Sequence, residues 1–165
     1  MVPETNIFLV GFAGCGKSMA GQVLAGRLQR AFFDTDREVE KLAGMGLEEI
    51  FRRFGQAHFR RLEWGVLQTV GAGSRLVVAV GATVFLSAPH RRAIKERGIS
   101  IWLDVPFAEI WSRLQKLGVV RLAERQRLAE TFERRRSIYA LADLRLPAGG
   151  LSPSEVADKI IACLK

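Results

Sequence analysis

The chain has 165 residues, is 48% hydrophobic and has a formal net charge of +8. That length and apolar content predict one domain over 1–165 with a core of its own. The longest N-terminal apolar stretch, 7–13, is too short for a bilayer span and follows no basic leader. A cytoplasmic protein with no membrane partner, acting as a monomer, is therefore expected. Cys15 and Cys163 are too far apart in sequence to suggest a structural disulfide, and His58 and His90 lack neighbours at zinc-ligand spacing. The surplus of positive charge suits anionic partners: a nucleotide, an acidic small molecule or a nucleic acid.

In chain order, the apolar run 7–10 predicts a buried strand, and helical spacing of Met19, Val23, Leu24 and Leu28 predicts a helix from about 17 to 29. A second apolar run at 31–33 ends in Asp34-Thr35-Asp36. Short helices are expected at about 37–42 and 47–54, the second stopped by Gly55. A longer one follows at about 58–70, with Phe59, Leu62, Val66 and Leu67 inward. Strands are predicted at 76–80 and 100–104, helices at about 88–97 and 106–117, and a polar, ambiguous segment at 118–127. A helix at 128–141, a strand at 144–146 and a last helix opened by Ser152-Pro153-Ser154-Glu155 complete the chain. That tetrapeptide is a capping box with proline in the first helical turn. Short apolar strands alternating with helices specify an α/β fold: a five-stranded parallel sheet with helices on both faces.

The chemistry begins at Gly11-Phe12-Ala13-Gly14-Cys15-Gly16-Lys17-Ser18, which reads G-x-x-x-x-G-K-S between a strand and a helix. Backbone N–H groups and a helix N-terminus make an anion site there, and glycines let the chain close around a phosphate. Lys17 brings charge to the terminal phosphates, and Ser18 offers a hydroxyl to Mg²⁺. Cys15 is either a small residue tolerated by the loop or, at a helix N-terminus, an oxidisable thiol. Asp34 and Asp36 follow the second strand. Phosphoryl transfer needs one carboxylate for the metal and another to accept the proton of the attacking hydroxyl. Alternatively, Asp36 only caps the helix after it. In a parallel sheet, ligands sit beyond the strand C-termini, so the loop, Asp34/Asp36, Gly81-Ala82-Thr83 and Asp104 should share one edge.

Further on stands Ile50-Phe51-Arg52-Arg53-Phe54-Gly55-Gln56-Ala57-His58-Phe59-Arg60-Arg61-Leu62-Glu63. With the loop, the D-x-D pair, the 81–83 turn and Arg135-Arg136-Ser137-Ile138-Tyr139, it resembles the shikimate kinase family over nearly the whole chain. The resemblance implies a P-loop fold like that of nucleoside-monophosphate kinases, with strand order 2-3-1-4-5, substrate-binding helices at about 36–70 and a lid at about 118–127. It implies ATP and Mg²⁺ as cofactors and transfer of a phosphoryl group to the 3-hydroxyl of shikimate. Gly11, Ala13, Gly14, Cys15, Gly16, Lys17, Ser18 and Met19 would line the nucleotide site, with Arg113 against adenine. Ser18 and Asp34 would serve the metal. Asp36 would be the base, and Arg60, oriented by Glu63, would bind the substrate carboxylate together with Arg135. Gly81 and Ala82 would offer backbone to the substrate.

The chain departs from the family pattern in three places. Gly81-Ala82-Thr83 stands for a glycine triplet, where Ala82 resists positive φ and Thr83 adds bulk. Gln56 replaces a glutamate. Counted back from Tyr139 without gaps, the lid Arg-Pro pair falls on Val119-Val120, leaving Arg121 or Arg125 to supply the lid charge. These departures leave room for a related kinase with weak or altered acceptor preference, or for a nucleotide-binding module. Nucleic-acid binding is not expected, because the arginine-rich 121–136 stretch contains one aromatic residue, Phe132, where a single-strand binder interleaves several.

Overall fold

The computed structural model describes residues 2–165. Five strands form one parallel sheet in the order β2-β3-β1-β4-β5. They are β1 (Asn6–Val10), β2 (Ala31–Asp34), β3 (Leu76–Ala79), β4 (Gly98–Asp104) and β5 (Leu144–Pro147). β1 and β3 are buried along their whole length, as a sheet covered on both faces requires. The helices between them are α1 (Lys17–Leu28), α2 (Thr35–Ala43), α3 (Leu47–Gly71), α4 (Ala88–Arg97), α5 (Phe107–Lys116), α6 (Arg125–Tyr139) and α7 (Pro153–Leu164). Among the described residues no helix is long and apolar enough to cross a membrane.

β1 lies between β3 and β4, so the chain reverses its direction of winding there. The crevice at such a point is where a parallel sheet takes its ligand. Register places Asp34 opposite Ala79, so the end of β2 is level with the turn that follows β3.

Several boundaries differ from the sequence expectation for physical reasons. α2 starts at Thr35 rather than near 37, because Asp34 is the residue that caps it. The Asp34 carboxylate accepts from the backbone N–H groups of Asp36 and Arg37 at 3.0 and 3.4 Å. The alternative that Asp36 is merely a cap is thereby overturned. α3 joins the two expected helices across a break at Gly55 (φ 79°, ψ 177°), and Phe51 packs on Phe59 across it with ring centroids 4.3 Å apart. The inward stripe of its second half is Phe59, Glu63, Val66, Leu67 and Val70, so a glutamate occupies a core position while Leu62 is half-buried. The ambiguous 118–127 segment contains a 3₁₀ turn at Leu122–Glu124, and α6 starts at Arg125 rather than at 128. At α7 the expected capping box forms, with Ser152 and Glu155 exchanging side-chain and backbone bonds at 2.7 and 3.2 Å.

Candidate active site

The loop after β1 turns through left-handed glycines: Gly11 at φ 147°, Gly14 at 81° and Gly16 at 94°. A side chain at any of them would be strained, which is why this turn needs glycine. Lys17 lies across its own loop, donating from Nζ to the carbonyls of Gly11 at 2.9 Å and Phe12 at 3.1 Å. Its charge is thus held at the centre of the anion site. Cys15 is buried with Sγ 3.8 Å from Lys17 Nζ, and a Cβ on Gly11 would come within 2.8 Å of that sulfur. Cys15 therefore fills the underside of the loop.

The first residue of the D-x-D pair faces this loop directly. Ser18 Oγ donates to Asp34 Oδ2 at 2.5 Å. Two hard oxygens side by side at a phosphate loop fit Mg²⁺, which takes one or two protein oxygens and completes its shell with phosphate and water. Such a site needs no large ligand cluster, and among the described residues there is no group of three or more His, Cys, Asp or Glu suited to a metal.

Asp36 points the other way, against the turn after β3. A Cβ on Gly81 would collide with Asp36 Oδ1 and lie 3.1 Å from its Cγ. A side chain at 81 could be admitted only if the Asp36 carboxylate moved out of the space it occupies. Burial, reinforced by the neighbouring Asp34 charge, pushes the Asp36 carboxyl up to about 6. Lys17 opposes the shift, while Glu63 and Glu40 add to it.

The turn itself is held by three side chains. Thr35 Oγ1 accepts from the Gly81 N–H at 2.8 Å, Tyr139 donates to the Ala82 carbonyl at 2.6 Å, and Thr83 Oγ1 donates to Glu63 Oε1 at 2.7 Å. Ala82 does not have positive φ, and Thr83 sits at φ −97°, ψ −17°. The expectation that alanine would be strained here is therefore corrected. Of the three positions, Gly81 is the one where an added side chain would displace Asp36, through lack of space rather than φ.

Arg60 comes to this turn from the second half of α3. Its Nη1 donates to Glu63 Oε2 at 3.1 Å and to the Thr83 carbonyl at 2.9 Å. The three consecutive arginines of α6 go separate ways. Arg134 donates to Thr131 at 3.2 Å; Arg136 pairs with Asp104 at 3.7 Å and lies over Trp102 and Phe132. Arg135 lies over the Phe12 ring at 5.6 Å, beside Tyr139 and hence next to the 81–83 turn. Asp104, expected at the same edge, is taken up by Arg145 at 2.5 and 2.8 Å and faces a separate cleft with Phe107 and Phe132.

A cleft of about 670 Å³ runs from Asp36, Gly81 and Ala82 past the phosphate loop to Arg113. Arg113 is braced by Glu109 at 2.5 Å and donates to the Gly14 carbonyl at 3.2 Å. Met19 lines the mouth and is 65% exposed. Beyond Arg113 the wall is formed by Leu117, Ala148, Leu151 and Val156. These residues were not anticipated. They come from the ends of α5 and β5 and the start of α7, where the sequence signals only a helix cap. Thr35 and Tyr139 were also missed as supports of the turn. Arg60 and Arg135 do not line this cleft; they lie beside the 81–83 turn, near the Asp36 end of the cleft. Arg121 is exposed and outside it, its backbone N–H donated to Glu124 at 2.6 Å.

The family model described as shikimate kinase matches residues 13–165. The chain belongs to the shikimate kinase family. The shikimate kinase of Persephonella marina is 36% identical over 162 residues, covering 97% of this chain and 99% of that protein. Among solved structures, shikimate kinase from Acinetobacter baumannii in complex with shikimate superposes with a TM-score of 0.91 at 30% identity, covering 97% of this chain and 92% of that one. Shikimate kinase from Aquifex aeolicus gives a TM-score of 0.84 at 32% identity, covering 96% and 95%. As a shikimate kinase family member the chain is a phosphotransferase that uses ATP with Mg²⁺. The family sheet order 2-3-1-4-5 is the one observed. Departures from the family pattern fall where the structure compensates locally, at Ala82 and Thr83, or at the surface, where Val119 is 64% exposed.

Proposed function

We propose that this chain transfers the γ-phosphoryl group of ATP to the 3-hydroxyl of shikimate, giving shikimate 3-phosphate and ADP. The observation that carries this reading is the position of Asp36. Its carboxylate lies against Gly81 at one end of the cleft, across from Lys17 and Ser18.

An acceptor hydroxyl bound there meets Asp36 on one side and the phosphate loop on the other. With its carboxyl at about 6, Asp36 is mostly ionised at neutral pH yet basic enough to take the hydroxyl proton. Lys17 and the N–H groups of Gly14 to Ser18 neutralise the phosphate oxygens. Ser18 and Asp34 are the residues that would hold Mg²⁺, which supplies charge neutralisation on the nucleotide phosphates when bound.

Arg60 and Arg135 approach the acceptor end from opposite elements, α3 and α6. Two guanidinium forks suit a carboxylate and orient the ring that bears it. The apolar wall of Leu117, Ala148, Leu151 and Val156, with Arg113 before it, suits a flat base such as adenine. The 118–127 segment closes over the nucleotide, with Arg121 as the arginine nearest the expected lid position, and excludes water as a competing acceptor.

Coupled ADP release with shikimate, quinate and gluconate in parallel, against a no-acceptor control, tests the reading. Turnover with shikimate alone is the expected result. Turnover only with another acid, or none with any, overturns it.

A further inference from the structure

We propose that Thr83 is a positioning residue for the Arg60 guanidinium, acting through Glu63. This rests on the reading of Arg60 as a substrate-carboxylate ligand. The family pattern has glycine at this position, so the side chain is a feature of this chain's own sequence.

Glu63 is 1% exposed, on the core-facing stripe of α3. A buried carboxylate is costly unless both of its oxygens are satisfied. Arg60 satisfies Oε2 at 3.1 Å, and the Thr83 hydroxyl satisfies Oε1 at 2.7 Å. The Thr83 carbonyl then takes a further bond from Arg60 Nη1 at 2.9 Å. The three residues form a closed triangle in which Thr83 contacts both members of the pair. Without its hydroxyl, Glu63 would keep only the i,i+3 contact to Arg60 on its own helix, and Oε1 would be a buried acceptor without a donor, while Arg60 keeps its bond to the backbone carbonyl of residue 83.

The triangle also determines which donors remain. A guanidinium has five N–H donors, and the two on Nη1 are spent on Glu63 and Thr83. Among the described residues Nε and Nη2 make no hydrogen bond. They form the edge that grips a carboxylate in a two-point contact. Thr83 thus presents Arg60 edge-on, and holding that edge still lowers the ordering cost of binding an acid.

The test compares Thr83→Val, which keeps the shape and removes the donor, with Thr83→Ser, which keeps the donor. The expected result for Thr83→Val is a shikimate KM raised about tenfold, the loss of one hydrogen bond to a charged group, with kcat and the ATP KM within about twofold of wild type. Thr83→Ser should restore the wild-type KM. An independent readout is the Arg60 side-chain NMR signal of the unliganded protein. The Nη1 proton signals should shift and broaden in Thr83→Val as the Glu63 carboxylate loosens, although the bond to the backbone carbonyl persists. An unchanged KM in an active Thr83→Val enzyme, or unchanged Arg60 signals, overturns the proposal. If Thr83→Val shows no cooperative melt, the decision passes to Thr83→Ser, in which a raised shikimate KM overturns it. A wild-type protein that leaves shikimate unphosphorylated refutes the assigned substrate instead, and the NMR comparison still decides the role of Thr83.

Discussion

Ser18 donates its hydroxyl to Asp34 Oδ2 at 2.5 Å while the other oxygen of the same carboxylate caps α2 through the Asp36 N–H at 3.0 Å. One side chain thus ties the phosphate loop to the start of α2. Asp34→Ala should lose about 1 kcal/mol of stability by chemical denaturation, the usual worth of an N-cap, whereas Asp34→Asn should retain most of it. Both variants should need at least about tenfold more Mg²⁺ for half-maximal activity. A wild-type Mg²⁺ titration in Asp34→Asn would remove Asp34 from the metal site.

Asp36 should trade stability for reactivity. A carboxyl raised from its ordinary 3.8 to about 6 binds its proton more tightly in the folded state. The folded protein is therefore favoured at low pH and loses stability as pH rises through that window. In metal- and nucleotide-free buffer at pH 7.5, Asp36→Asn should be more stable than wild type by on the order of 2–3 kcal/mol, and the gap should shrink at pH 5. Urea denaturation at the two pH values measures it, and a variant no more stable at pH 7.5 contradicts the burial argument. The same change should cut turnover by about 10²–10⁴-fold with ATP affinity kept, and a wild-type rate would remove Asp36 from the base role.

Arg60 and Arg135 should act on acceptor binding. Either alanine variant should raise the shikimate KM by about 10–150-fold, corresponding to 1.5–3 kcal/mol for a hydrogen bond to a charged group. The KM for ATP should stay within about twofold. Arg134→Ala, whose guanidinium bonds among the described residues only to Thr131, is the control on the same helix. An Arg135 variant that behaves like the Arg134 one would assign the carboxylate clamp to Arg60 alone.

Lys17→Ala should abolish measurable turnover while leaving the thermal melt close to wild type, since among the described residues Lys17 bonds only within its own loop. Arg121→Ala should reduce turnover by about 10³-fold if that residue supplies the lid charge, the lower end of what an arginine on a transferring phosphoryl contributes. Unchanged turnover in Arg121→Ala, beside a dead Lys17→Ala, would sink that role. Arg125, whose guanidinium lies 6.0 Å from the Trp111 ring centroid, is then the next to test.

Much of the sheet was legible from short apolar runs, because strands buried on both faces tolerate little else. The stop at Gly55 was legible for a similarly local reason. Less legible was anything decided by partners distant in the chain. Asp34 and Asp36 read alike in sequence, and only folding made one a helix cap facing Ser18 and the other a buried carboxylate against Gly81. The 118–127 segment was ambiguous because all of it but Val120 is exposed, and one core contact imposes no period.

By itself, the sequence determined the phosphate loop, the alternation of strands and helices, and the family. Those rest on local spacing, which survives translation into any frame that keeps the chain order. Only the tertiary structure decided that Glu63 is buried, that Thr83 and Tyr139 brace the turn between the two arginines, and that Ala82 is unstrained. It also parted Arg135 from Arg134 and Arg136, which share one run of sequence but meet Phe12, Thr131 and Asp104 respectively. The reason is the same in each case. Burial and pairing energies depend on which side chains the sheet order brings together, and that order places residues 20 to 60 positions apart within one hydrogen bond of each other.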